Sequence, residues 1–301
     1  MPILAPSSVL VTGARGNLGR KIIEALAAES WCTGIVGLDL STDPSGFSPV
    51  ALSKLRLHAG DLANADAPWV EALAGMGAVI HLAAENPDVD ATWQQAANSF
   101  DQTINVGLAA LRHGVGRLVF ASSNHVMGGY KDVPLASRIG PGALTTSLPP
   151  APGTKWHDGT ADQDSTPYAT AKLMGERFYA NLATHSGGRL TTVAIRIGWA
   201  QPGENRAGTI SHAGSTLGGF PDAASETAQR DLRWFRGMWL ANADLGALFT
   251  AAVAADPSAW PGPAIVVNGM SANRDMDWDI ATTRQLIGYR PEHDLYAELE
   301  M

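Results

Sequence analysis

Tyr168 and Lys172 stand four positions apart in the stretch Tyr168-Ala-Thr-Ala-Lys172, a spacing that puts two side chains on one face of a helix. A tyrosine with an ordinary pKa of about 10 is a poor base at neutral pH, but a cation beside it favours the phenolate. Upstream, Ser122 and Ser123 close an apolar run. If Ser123 donates a hydrogen bond to a substrate oxygen, the three side chains can take a proton from an alcohol while hydride leaves the adjacent carbon. That is alcohol-to-carbonyl chemistry, and it requires a hydride acceptor. A Tyr-x-x-x-Lys pair alone also arises on ordinary solvated helix faces, so the reading depends on the elements around it.

The first of these elements is a phosphate cradle. Ser8-Val9-Leu10-Val11-Thr12 is a short apolar run suited to a buried parallel strand, and it passes directly into Gly13-Ala14-Arg15-Gly16-Asn17-Leu18-Gly19. A helix is expected from about Asn17 to Ala28. Glycines permit the tight turn and let backbone N–H groups approach a pyrophosphate at the helix N-terminus. Asp39 ends the next apolar run, twenty residues beyond Gly19, where a carboxylate accepts from the adenosine ribose hydroxyls and repels a 2′-phosphate. NAD is therefore the expected cofactor. Leu40-Ser41-Thr42 supplies no arginine for a phosphate, yet Arg15 within the turn can swing toward one, which leaves NADP use open.

Further apolar strands are expected to end at His58-Ala59-Gly60-Asp61-Leu62, at Ala78 to Ala84, and at Arg117 to Ser123. Asp61 is placed to meet the adenine amino group or to cap a helix. His81 reads as a packed core histidine without an obvious partner. Asn105, on a helix from about Ala91 to His113, is placed to hold a water or carbonyl near the lysine, or to have no role. The expected cofactor contacts are Gly13, Gly16, Asn17, Leu18, Gly19, Asp39, Asp61, Leu62, Leu82, Ala83, Ala84, Asn105, Ala121, Tyr168, Lys172 and Ile197. Alternating strands and amphipathic helices describe an α/β fold, a doubly wound parallel Rossmann sheet. Ligands of such sheets bind at the carboxyl ends of the strands.

Composition narrows the classes. The 301 residues carry a net charge of −8 with no lysine or arginine cluster, which argues against nucleic acid as a partner. No apolar run approaches membrane-spanning length and no signal-peptide pattern opens the chain, so a cytoplasmic protein with no membrane partner is expected. Cys32 is the single cysteine, which excludes an intramolecular disulfide and a cysteine-based zinc site, and no metal site is expected. The nine tryptophans are expected to be mostly core.

On these residues the chain resembles the extended branch of the short-chain dehydrogenase/reductase superfamily, the NAD-dependent epimerase/dehydratase family. Within it, Val119-Phe120-Ala121-Ser122-Ser123-Asn124-His125, Tyr168 to Lys172 with Gly175-Glu176, Arg196-Ile197-Gly198, Gly269 to Asn273 and Gly288-Tyr289-Arg290-Pro291 are most similar to the uronate dehydrogenases. The resemblance implies NAD-dependent oxidation of the anomeric hydroxyl of a hexuronic acid, or a related acidic aldose, to a lactone. Tyr168 would be the base, Ser123 would orient the C1 hydroxyl, and Lys172 would lower the tyrosine pKa and hold the nicotinamide ribose. Asn124, His125 and Gly198 would line the sugar pocket, with His125 able to hydrogen-bond a sugar hydroxyl or, when protonated, to attract a carboxylate. It also implies a homo-oligomer, a dimer by analogy.

Two features depart from those relatives. Trp199 stands where they carry a serine, offering a stacking face instead of a hydroxyl, and Arg206 is the expected carboxylate partner, with Arg230, Arg233 and Arg236 as competitors. Forty-five positions separate Ser123 from Tyr168, about twice the usual spacing. The intervening Pro, Gly, Ser and Thr-rich stretch of residues 130–165 is expected to be a loop, either a lid bringing Lys155, Trp156 and His157 to substrate or a surface segment. The expected division is a Rossmann domain over 1–198 and an interleaved substrate lobe over 199–301, whose strand near 264–267 rejoins the main sheet. Its glycine-rich part, Gly208 to Gly219, is expected to move, and a core helix is expected from Ala241 to Ala255. Two other readings share much of this sequence. One is a nucleotide-sugar epimerase or dehydratase, disfavoured because Asn124-His125 supplies no acidic pair and no asparagine follows Arg196-Ile197-Gly198. The other is a non-catalytic dinucleotide sensor, which would not need Ser123, Tyr168 and Lys172.

Overall fold

The computed structural model describes residues 5–85, 90–215 and 225–300. The first half alternates strand and helix: β1 (Ser8–Thr12), α1 (Asn17–Ala28), β2 (Gly34–Asp39), α2 (Pro49–Lys54), β3 (Leu55–Ala59), β4 (Ala78–His81), α3 (Trp93–Arg112) and β5 (Arg117–Ser123). After a small hairpin, β6 (Lys155–His157) with β7 (Asp162–Asp164), come α4 (Thr166–His185) and β8 (Thr191–Ile197). The remainder holds β9 (Ile210–Ser211), β10 (Gly214–Ser215), α5 (Glu226–Gly237), α6 (Asn242–Ala254), β11 (Ala264–Gly269), α7 (Ala281–Ile287) and α8 (Leu295–Glu300).

Seven of these strands form one sheet in the order β11-β8-β5-β4-β1-β2-β3, and every pair in it is parallel. Strand alternation divides the core. Val9 and Val11 of β1 pack with Ile22, Leu26, Leu248 and Phe249 on the face covered by α1 and α6. Leu10 between them packs with Val79, Val106, Phe120 and Tyr179 under α3 and α4. From β1 the chain steps outward to β2 and β3, then crosses back to β4 on the other side. That reversal opens a crevice beyond the carboxyl ends of β1 and β4. The doubly wound Rossmann sheet is thus present, and β11 rejoins it against β8, with Ile265 opposite Val193.

The stretch 130–165 is not the open loop its composition suggests. It continues a 3-10 turn over Asn124–Lys131, closes the antiparallel β6–β7 hairpin, and buries Tyr130, Leu144 and Trp156. Those three side chains join Trp234, Phe235, Trp239 and Trp278 in a third core, and Leu144 bridges to Trp278. Its Pro and Gly residues set short turns between sparse apolar anchors, a pattern too irregular for periodicity to reveal. The third core therefore draws on residues on both sides of 198. Of the glycine-rich Gly208 to Gly219, residues 216–219 lie outside the described residues, while β9 and β10 pair before them. Among the described residues no helix is long and apolar enough to cross a membrane.

Candidate active site

Glycine at two positions makes the first wall of the site. Gly13 has φ +65°, and a Cβ there would press on the Ala83 backbone at 3.1 Å. A Cβ on Gly19 would lie 2.1 Å from the Gly13 carbonyl, so any side chain would force the turn off α1. Gly16 caps α1 without a side-chain hydrogen bond, so the first N–H groups of the helix face outward for an anion. Asp39 Oδ2 accepts from the Arg15 backbone N–H at 2.8 Å and Oδ1 accepts from Leu40 N–H at 2.8 Å. This fixes the carboxylate across the turn. The Arg15 guanidinium is drawn aside by Asp43, at 2.7 Å.

Thr12, the last residue of β1, ties the centre together. Its hydroxyl accepts from Leu82 and Ala83 N–H at 3.1 and 3.2 Å and lies 2.8 Å from His81 Nδ1, whose ring reaches the Thr103 hydroxyl at 3.3 Å through Nε2. His81 is thus a core histidine with two hydroxyl partners rather than none. Burial, with Lys172 nearby, pushes its pKa down to about 3.

The reactive trio sits where β5 and α4 meet. Ser123 is the final residue of β5, and its Oγ accepts from His125 N–H at 3.2 Å. Asn124 Nδ2 donates to the Ile197 carbonyl at 3.0 Å, joining the ends of β5 and β8. Asp164 accepts from Thr166 N–H at 2.9 Å as α4 opens, with Pro167 in the first turn, so Tyr168 falls in that turn and Lys172 one turn later. Lys172 Nζ lies 5.6 Å from the Tyr168 ring centroid and 5.0 Å from that of Phe120. Burial lowers its pKa to about 8, still leaving it cationic at neutrality. Beneath the trio, Glu176 accepts from Ser122 and forms two hydrogen bonds with Arg196, at 2.9 and 2.8 Å, with both charged side chains 2 % exposed.

One cleft of about 1040 Å³ runs over all of this. Of the residues singled out from sequence, it is lined by Gly13, Gly16, Asn17, Leu18, Gly19, Asp39, Asp61, Leu62, Leu82, Ala83, Ala84, Ala121, Ser123, Asn124, His125, Tyr168, Lys172, Ile197, Gly198 and Trp199. Asp61 also accepts from Ala63 N–H at 2.9 Å, shaping its own loop. Two candidates lie elsewhere. Asn105 donates to the Leu62 carbonyl at 2.8 Å, so it holds the loop that lines the cleft. Arg206 is 75 % exposed and paired with Glu204, because the short turn between them faces solvent.

Of the two parts the sequence offers His125, a hydrogen bond to a sugar hydroxyl or attraction of a carboxylate when protonated, its burial works against the second. Its Nδ1 lies 2.8 Å from Thr154 Oγ1 and 3.1 Å from Ser165 Oγ, and burial holds its pKa at about 4. It is neutral at physiological pH and cannot attract a carboxylate as an imidazolium. Within the hairpin only Trp156 turns inward, stacked on His125 at 6.2 Å, whereas Lys155 and His157 are exposed and pair with Asp164 and Asp162. Sequence reasoning missed Gln201 and Pro202 as lining residues, although a loop following a strand end at Ile197 is where such contacts arise. It also missed Thr154 and Ser165 behind His125, for which no local signal exists.

The profile of the NAD dependent epimerase/dehydratase family matches residues 9–198. The chain belongs to this family and is an NAD-dependent oxidoreductase of the extended short-chain dehydrogenase/reductase type. It is 31% identical to an L-arabinose 1-dehydrogenase (NAD(P)(+)) of Haloferax volcanii, over 94% of this chain and 95% of that one. A uronate dehydrogenase of Pseudomonas syringae pv. tomato is 32% identical over a shorter span, 41% of this chain and 42% of that one. Among solved structures, a mutant uronate dehydrogenase from Agrobacterium tumefaciens complexed with NAD superposes with a TM-score of 0.66 at 27% identity, covering 98% of this chain and 88% of that chain. The cleft fits NAD on its own chemistry: a glycine cradle that no Cβ can enter, an open helix N-terminus, and a carboxylate at the end of β2.

Proposed function

We propose that the chain oxidises the anomeric hydroxyl of a sugar to a lactone, with Tyr168 as the base. The observation that carries this reading is the convergence of Ser123, Tyr168 and Lys172 on the cleft that also holds the glycine turn and Asp39. NAD, when bound, supplies the acceptor for the hydride leaving C1. Asp39 would accept from its adenosine ribose hydroxyls, and the N–H groups opening α1 would hold its pyrophosphate. Ser123, held at the tip of β5, hydrogen-bonds the C1 oxygen. Tyr168 takes the proton from that oxygen as C1 becomes a carbonyl carbon. Lys172, buried beside the tyrosine ring, favours the phenolate through its charge. Asn124, His125 and Trp199 enclose the rest of the ring.

The curated relatives support oxidation of a sugar, since those matched are named for dehydrogenation of L-arabinose, of glucose 6-phosphate and of uronates. The test is NADH formation, followed by absorbance, across neutral aldoses and uronates, for the wild type and Tyr168→Phe. General acid–base catalysis is worth roughly 10²–10⁴-fold. The variant should lose about that much in kcat while its Kd for NAD stays within about twofold, since the phenol oxygen is a small part of the cofactor contact. Full activity in Tyr168→Phe would remove the mechanism.

A further inference from the structure

The adenosine end of the cleft carries a cation already engaged by an acid of the neighbouring loop. Arg15 stands in the glycine turn beside Asp39 and Leu40, and all three line the cleft. Its guanidinium donates to Asp43 Oδ2 at 2.7 Å, yet its Nε–H is buried with no hydrogen-bond partner. The arginine fork, which matches a phosphate in geometry and charge, is therefore incompletely satisfied by Asp43.

Asp43 is built into its place. Oδ1 accepts from Ser45 N–H at 3.0 Å, Oδ2 accepts from the Ser45 hydroxyl at 2.7 Å, and the Asp43 N–H donates to Ser41 Oγ at 3.3 Å. The Ser45 hydroxyl and N–H hold the Asp43 carboxyl below the usual carboxylate range, and the Arg15 charge adds to the effect. On the other side, Arg20 Nε donates to the Arg15 carbonyl at 2.9 Å, while the Arg15 N–H is fixed on Asp39 at 2.8 Å. The backbone of Arg15 is thus pinned at both ends, and its side chain is what remains able to turn.

We infer that Asp43 sets the choice between NAD and NADP by engaging the Arg15 guanidinium, the cation that a 2′-phosphate would need. The ribose hydroxyls that Asp39 would accept are where NADP carries a phosphate of about −1.5 to −2 charge. That group would meet the Asp39 carboxylate and require a compensating cation. Among the described residues lining the cleft the cations are Arg15 and Lys172, and Lys172 stands beside Tyr168 at the catalytic end. Paired with an ionised Asp43, Arg15 brings no net charge to the adenosine end. With Asp43 neutral, its whole fork is free for a phosphate. Asp43 is not among the residues lining the cleft, so it acts through Arg15.

The experiment titrates NADH and NADPH into the wild type, Asp43→Asn, Arg15→Gln and the double variant, following the fluorescence of the bound dinucleotide with no sugar present. It is therefore independent of the sugar-oxidation reading. Asp43 is exposed, so its substitution leaves the core intact. The Kd for NADPH should tighten about threefold or more in Asp43→Asn, in keeping with the modest worth of an exposed pair, while the Kd for NADH stays within about twofold. In the Arg15→Gln background the same substitution should give no such gain, because the cation it frees is absent. An unchanged NADPH Kd in Asp43→Asn overturns the inference. So does an equal gain in both backgrounds, which would mean that Asp43 repels the phosphate through its own charge instead of acting through Arg15.

Discussion

His81 and His125 are both buried, both hydrogen-bonded by hydroxyls, and both held neutral, with pKa values near 3 and 4. Unfolded, each would protonate near 6.5. Acid therefore favours the unfolded chain: the stability these rings contribute is complete above about pH 6.5 and is lost as pH falls toward the folded values. Each ring steepens the loss by up to about 1.4 kcal/mol per pH unit in that window. Urea unfolding between pH 5 and 7.5 should show the decline, and His81→Gln should flatten part of it if the variant folds. A pH-independent midpoint would contradict the neutral assignment. Lys172 carries a different expectation. Replacing it with methionine keeps much of the stem packed on Phe120 but removes the charge, so the rising limb of the pH–rate profile for oxidation should move to higher pH.

The ends of β5 and β8 and the opening of α4 form a braced unit. Ser122, one residue before Ser123, donates to Glu176 of α4, which also holds Arg196 of β8. Glu176→Ala would strand the Arg196 guanidinium in the core, where its Nη1 already lacks a partner. Removing one member of a buried pair costs about 3–5 kcal/mol. Thermal or urea unfolding should register that loss, and kcat should fall with it because Ser123 and the tyrosine lose their common support. These three residues belong to separate motifs in the sequence. The pattern shows a strand end, a helix and another strand end, but it cannot show that their charged residues meet. The opposite holds at the glycine turn, where the sequence motif already implies the geometry. Gly19→Ala would collide with the Gly13 carbonyl and should abolish NAD binding, measured by fluorescence titration, if the chain folds at all.

The walls of the cleft are stitched in several places. Lys131, 2 % exposed at its side chain, pairs with Asp231 of α5 at 2.6 Å, fastening the segment after β5 to α5. On the other side of the cleft, Asn17 and Lys21 of α1 donate to the carbonyls of Ala200 and Gln201 at 2.9 and 2.7 Å. The segment after β8 is thereby anchored to the cofactor helix. Asp231→Asn weakens the first of these ties, leaving the Asp132 carboxylate at 3.1 Å as the charged partner of the Lys131 ammonium. The expected outcome is a several-fold rise in KM for the sugar with a smaller change in the Kd for NAD, which steady-state kinetics and titration separate.

The sequence by itself determined the parallel sheet, the glycine turn with Asp39, and most of the residues that line the cleft, Ser123, Tyr168 and Lys172 among them. Those features are local: a strand end or a helix turn carries each one, and short apolar runs and fixed spacings encode such units directly. Tertiary structure alone decided the rest. Arg206, a candidate by proximity in the chain, turns to solvent and Glu204, while Asn105 reaches across to Leu62. The stretch 130–165, loop-like in composition, packs Leu144 against Trp278 and sets Thr154 and Ser165 behind His125. The charge of His125 follows from that burial. Such contacts join residues tens to more than a hundred positions apart, and no periodicity along the chain records which distant side chains will share a buried site.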